Sequence, residues 1–290
     1  MNFVILVRRR KDNRTTFQYL SLLAVTDACF LLLQGFLDQF LNNRRKAAHH
    51  AVSYFGVAVD IYTLSKFTCK LYFVGSSCFM MSSWIVTAFS MERAIIVWYP
   101  LKAHVIFTQT RRSLVLFACI IIPLFIYSPE SYWMTQAANG DCVTISVKPC
   151  HRFVYTVMSQ CLKGVLPCVI IACSNIAIVL GILTAPKIEN TKSNRKNDRI
   201  LRNMFLVSTM FFVLVMPYTV IWLYYDVYNM ECVVSATETV KHRITNIGRF
   251  YGPIASTFCN LNFCLNFVIY ASTLDFYRAE LKRMICCQRC

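Results

Sequence analysis

Residues 69–98 read CKLYFVGSSCFMMSSWIVTAFSMERAIIVW, and this stretch decides the fold. No acidic or basic side chain interrupts it between Lys70 and Glu92. A helix needs about 20 mainly apolar residues to cross the hydrocarbon of a bilayer, and this run exceeds that. It ends in an adjacent acid and base, Glu92 and Arg93, at the depth where a helix leaves lipid for water. Five further runs of the same kind lie at 17–41, 114–132, 153–184, 200–225 and 250–272, each bounded by charged or turn residues. Residues 1–7 are apolar as well, but as helix they rise only about 10 Å. They look like the inner end of a longer helix, so the first crossing is expected to be cut short.

The composition agrees with a membrane protein. Of 290 residues, 57% are hydrophobic and 15% charged, and the mean hydropathy is +0.48. A soluble domain carries about a quarter charged residues. The formal charge of +16 sits between the apolar runs, which makes it a topology signal and not a nucleic-acid surface. With residues 8–14 placed inside, the inner connections and the tail hold more than half of the 30 Lys and Arg. Positive charge beside helix ends marks the cytoplasmic side. The chain then starts outside and ends inside, which requires an odd number of crossings. Seven satisfy this and six do not. Residues 1–274 are therefore expected to form one seven-helix, all-α domain in the plasma membrane with a cytoplasmic C-terminus. Residues 275–290, with Phe276, Leu281, Met284 and Ile285 on one helical face, read as an amphipathic helix on the inner leaflet. Cys286 and Cys287 in that segment are acylation candidates. Most of the other cysteines lie in apolar runs as small hydrophobes.

Within the runs the polar residues are few. Asp27 is costly in hydrocarbon and must face the interior with polar partners. Pro217 removes a backbone hydrogen bond and provides a bend that serves as a hinge. The run Glu92-Arg93-Ala94-Ile95-Ile96-Val97-Trp98-Tyr99-Pro100-Leu101 resembles the D/E-R-Y-x-x-V-x-x-P-L signature of rhodopsin-like G-protein-coupled receptors, with Ala94 in place of the Tyr. Leu23-Ala24-Val25-Thr26-Asp27 is similar to the L-A-x-x-D of that family's second helix. Asn266-Phe267-Val268-Ile269-Tyr270 resembles N-P-x-x-Y with Phe for Pro. Phe211 with Pro217 matches the sixth-helix kink, and Pro167 the fifth-helix proline.

The resemblance implies roles. Glu92, Arg93, Phe211, Pro217, Asn266 and Tyr270 would form the coupling switch, with Arg93 held by Glu92 at rest and released toward a heterotrimeric G protein. Asp27, Ser82, Asn262 and Asn266 would form a polar cluster able to hold a structural sodium ion, and no other cofactor is expected. Cys69 would pair with Cys142 or Cys150, with Cys142 preferred. Gly75 stands where an amine receptor needs Asp, and Asn260 where an opsin needs Lys, so both of those subclasses are excluded. Tyr72, Gln160, Tyr218 and Trp222, with Lys163, Tyr225 and Tyr251, are the expected ligand wall, and Asp226 or Asp38 the acids for a basic ligand group. The whole resembles invertebrate neuropeptide receptors of the FMRFamide-like kind, which implies a peptide ligand. The sequence departs from the family at Val215, where a Trp is usual, and at Asn175, where a Tyr is. Two other readings are a non-signalling, divergent receptor and a polytopic transporter. A transporter predicts internal repeats or midplane charges besides Asp27, and neither is seen. His49, His50, His104, His151 and His242 all lie between the apolar runs, where loops are expected, which argues against a membrane enzyme.

Overall fold

The computed structural model of the chain describes residues 14–33, 70, 72–136, 142–144, 149–184, 192–229 and 238–273. Helix α1 spans Arg14–Phe30, α2 Tyr72–Trp98, the short α3 Pro100–Ile106, and α4 Gln109–Trp133. Strands β1 (Met134–Gln136) and β2 (Cys142–Thr144) follow. Then α5 (Pro149–Gln160) passes through a π turn, Cys161–Val165, into α6 (Leu166–Thr184). Helices α7 (Lys192–Asn229) and α8 (Glu238–Thr273) complete the bundle. The expected remnant at 1–7 and the surface helix at 275–290 lie outside the described residues.

The helices run past the apolar segments that announce them. Helix α7 begins at Lys192 instead of 200, and α8 at Glu238 instead of 250. Hydropathy marks only the part of a helix that lipid would cover. The backbone hydrogen bonds continue into polar turns, because intrahelical pairing satisfies them in either solvent. Among the described residues four helices are long and apolar enough to cross a membrane: Phe73–Trp98, Gln109–Trp133, Phe153–Thr184 and Phe205–Tyr224. Gln18–Leu33 is a shorter apolar helix. The all-α class is borne out, with one small element added to it. β1 and β2 pair antiparallel, Met134 opposite Thr144 and Gln136 opposite Cys142, as a small hairpin between α4 and α5. Strands of three residues carry no periodicity that could be read beforehand.

Helix α2 is the centre of the bundle, packed against α1, α4 and α6, while α7 lies along α8 and closes back onto α6. Burial is inverted relative to a water-soluble protein. Ser77, Ser82, Ser83, Thr87 and Ser90 of α2 are buried, whereas Phe117, Ile122 and Phe125 of α4 and Ile182 and Leu183 of α6 point outward. Acyl chains suit the outer set, and the inner hydroxyls are satisfied locally. Ser83 donates to the Phe79 carbonyl (3.0 Å), Thr87 to Ser83 (2.7 Å) and Ser90 to Val86 (2.9 Å). The apolar core centres on Phe30, Phe79 and Phe263, with ring centroids 4.2–5.6 Å apart. Close helix approach is set by small residues. A Cβ on Gly181 would come within 2.4 Å of Val97, and one on Gly164 within 2.4 Å of Thr219.

Candidate functional site

The first polar centre is built on Asp27. Its carboxylate is 4% exposed and accepts hydrogen bonds at both oxygens. Ser82 Oγ of α2 donates to Oδ1 (2.6 Å), and Asn266 Nδ2 of α8 donates to Oδ2 (2.7 Å). Three helices distant in sequence meet at this one carboxylate. Asn262, one turn before Asn266, is also buried, and its Nδ2 has no hydrogen-bond partner among the described residues. The donor set offers oxygens around a single carboxylate, the chemistry that suits a hard monovalent cation. Turning the Asn262 amide over would present its oxygen in place of the unpartnered nitrogen, so the residues fit such an ion.

The second centre is at the inner end of α2. Glu92 is 1% exposed. Its Oε1 accepts from both Nε and Nη2 of Arg112, each at 3.0 Å. The ion pair seen on Glu92 is with Arg112, and Arg93, the expected partner, also feels the Glu92 charge. Adjacent helical residues project about 100° apart and do not face one another. Glu92 therefore turns inward toward α4, while the Arg93 guanidinium lies over the Phe89 ring one turn back, 5.1 Å from its centroid. Arg112 is delivered by the start of α4. Thr108 caps that helix by accepting from the Arg111 amide (3.4 Å), and the Arg112 amide bonds the Thr108 carbonyl (3.1 Å).

The third centre joins α6 to α7. Asn175 Oδ1 accepts from Ser208 Oγ (2.7 Å), and Asn175 Nδ2 donates to Thr209 Oγ1 (3.5 Å). Phe211 and Val215 in the next turns of α7 are fully buried, ahead of Pro217. The departure from the family at Asn175 is therefore a polar clasp, and the one at Val215 is core packing.

At the outer half, the structure brings part of the expected ligand wall together. Tyr218 lies between Phe79 (5.7 Å) and Trp222 (6.2 Å), and Gln160 is buried nearby in sequence to the π turn. Lys163 within that turn holds its ammonium 5.4 Å from the Phe79 ring centroid and 5.8 Å from that of Tyr218. Tyr251 is exposed on α8. The side chains of Tyr72, Tyr225, Asp226, Cys142 and Tyr270 lie outside the described residues, as do Asp38, Cys69, Cys286 and Cys287 altogether.

Three residues escaped the sequence reading. Arg112 was noted only as an inner-loop charge, and Ser208 looks like any helical serine. Glu130 carried a usable signal, being the one ionisable group in the apolar run 114–132. It accepts a hydrogen bond from Ser76 and feels the charge of Lys163. No group of three His, Cys, Asp or Glu that could hold a metal ion occurs among the described residues.

Compared with known proteins, residues 2–270 match the family model described as 7 transmembrane receptor (rhodopsin family). No curated protein matches the chain.

Proposed function

The chain belongs to the rhodopsin family of seven-transmembrane receptors, a non-enzymatic class of multi-pass plasma-membrane proteins, and from that premise we propose that it relays peptide binding to a heterotrimeric G protein. The observation that carries this reading is the unequal fastening of the bundle. Asp27 locks α1, α2 and α8 together through two short buried hydrogen bonds. Helix α7, with Pro217, is joined to α6 at its inner half by the Asn175 clasp alone among the described side-chain bonds between those helices. Neutral hydrogen bonds contribute about 1 kcal/mol each, so the clasp is weak enough for a ligand to tip. A ligand that draws the outer half of α7 inward would rock it about Pro217, part Asn175 from Ser208 and Thr209, and open the inner mouth beside Arg93. Arg112 shares the Glu92 charge in the closed state, alongside the attraction that Glu92 exerts on Arg93.

A sodium ion at Asp27, Ser82, Asn262 and Asn266 would supply a counter-charge that no side chain among the described residues gives this buried carboxylate. The aromatic outer half, with Phe79, Tyr218 and Trp222, supports a peptide carrying aromatic side chains, and the FMRFamide-like resemblance points the same way. The basic inner connections support a cytoplasmic C-terminus, and the Cys69–Cys142 pairing is kept as part of this reading.

The test is nucleotide exchange by a heterotrimeric G protein in membranes carrying the full chain, challenged with a library of short peptides. An activating peptide whose effect disappears in Arg93→Ala supports the reading. Exchange that persists undiminished in Arg93→Ala, or no exchange from any G-protein class with correctly inserted protein, overturns it.

A further inference from the structure

Glu130 and Lys163 place two opposite charges inside the outer half of the bundle, where a lone ion is costly and an ionisable residue marks a site. The fold fixes both. Lys163 is carried on the π turn Cys161–Val165, a geometry that concentrates at functional positions because the extra residue re-aims the side chains. Trp84 Nε1 of α2 anchors that turn by donating to the Leu162 carbonyl (3.0 Å), and Gly164 presses against Thr219 of α7. The result holds the Lys163 ammonium beside the paired rings of Phe79 of α2 and Tyr218 of α7. Glu130 stands in the last turn of α4, and two tyrosines bind that helix to α5. Tyr155 OH donates to the Ile126 carbonyl (3.1 Å) and Tyr127 OH to that of Ser159 (3.5 Å). The elements that carry acid and base are therefore both tied down by hydrogen bonds to their backbone or from a neighbouring helix. Ser76 engages the Glu130 carboxylate, yet Glu130 Oε2 has no hydrogen-bond partner among the described residues.

We propose that Glu130 and Lys163 form a bipolar subsite that takes a zwitterionic ligand end, the open carboxylate oxygen of Glu130 receiving a cationic group and the Lys163 ammonium an anionic one. This rests on the receptor reading above and narrows its ligand. A purely cationic end would meet Glu130 but face Lys163, and a purely anionic end would face Glu130. Either would set like charges against each other inside the bundle, which costs more than the new contact gains. A peptide terminus with a basic side chain and a free carboxylate carries both charges. An amidated terminus, as in an FMRFamide-like peptide, carries only the first, so this subsite departs from that part of the resemblance and keeps only its aromatic and basic side chains. Acting as a bridge between α4 and the π turn, such an end would bear on Tyr218, next to Thr219, and so on the outer half of α7.

The experiment uses the full chain in lipid nanodiscs, with thermal stabilisation as the readout. Its probes are the N-acetylated dipeptide Phe-Arg with a free carboxylate, the same N-acetylated dipeptide amidated, and N-acetylated Phe-norleucine with a free carboxylate. Phe-Arg is expected to stabilise the protein with an apparent affinity at least tenfold above either of the others. Glu130→Gln, which is isosteric, should abolish the preference for Arg over norleucine and keep that for the acid over the amide. Lys163→Gln should do the reverse, and Lys163→Arg should restore the wild-type pattern. Equal stabilisation by acid and amide, or no stabilisation by Phe-Arg, overturns the proposal. The readout involves no G protein. Failure here with Arg93-dependent nucleotide exchange intact removes this inference alone, whereas loss of that exchange removes the receptor reading.

Discussion

Replacing Arg112 by Gln isolates the largest electrostatic contribution at the inner mouth. Glu92 is 1% exposed, Arg112 14%, and both 3.0 Å contacts fall on the single oxygen Oε1. Removing the guanidinium leaves a carboxylate enclosed by the bundle without its ion-pair partner. Breaking one side of a buried pair costs about 3–5 kcal/mol, far above the value of an exposed pair. Because this end of α2 is near water, the lower figure applies, about 3 kcal/mol. For a chain of this size that is a fall in Tm of roughly 6–12 °C. The assay is thermal unfolding in nanodiscs across a double-mutant cycle of Arg112→Gln and Glu92→Gln. The single Arg112 variant should lose most. The double variant should recover much of the loss, since two neutral amides remain where a bare charge stood, giving a coupling of about 2 kcal/mol or more. A drop below about 1 °C in the single variant, or a double variant as unstable as the sum of the singles, would refute the pairing of Glu92 with Arg112.

Sodium chloride should raise the thermal stability of the wild-type chain over choline chloride at equal ionic strength, and Asp27→Asn should abolish that difference while keeping the helical circular dichroism. Asn175→Ala removes both clasp bonds, worth about 1–2 kcal/mol together. It should raise ligand-independent nucleotide exchange by roughly 5- to 30-fold if α7 is held by them, and unchanged basal exchange would count against the hinge. Gly164→Val should destabilise by about 1–3 kcal/mol through overpacking against Thr219. Thr219→Ala in the same chain should return part of it, as thermal unfolding would show. An epitope placed after Cys290 should bind antibody only in permeabilised cells; binding at the intact cell surface contradicts the assigned topology.

The sequence alone determined that these residues form apolar helices in lipid and which few polar groups must turn inward. Both follow from one solvent rule: hydrocarbon leaves no partner for a bare backbone or a bare charge, so periodicity and the position of Asp27 were sufficient. That Asp27 needs polar partners was legible from the cost of a bare carboxylate in hydrocarbon, whereas Ser82 and Asn266 as those partners came from the family resemblance. Pairing within the inner mouth was not. Glu92 and Arg93 are neighbours in sequence, yet the helix separates them in direction, and only the packing of α4 against α2 brings Arg112 to Glu92. The Asn175 clasp likewise depends on the rotational setting of α6 against α7, and the facing of Lys163 on a π turn that hydropathy does not register. Side-chain direction about a helix axis is fixed by contacts between helices, and those contacts are long-range in sequence, so the tertiary structure alone decided which charges meet.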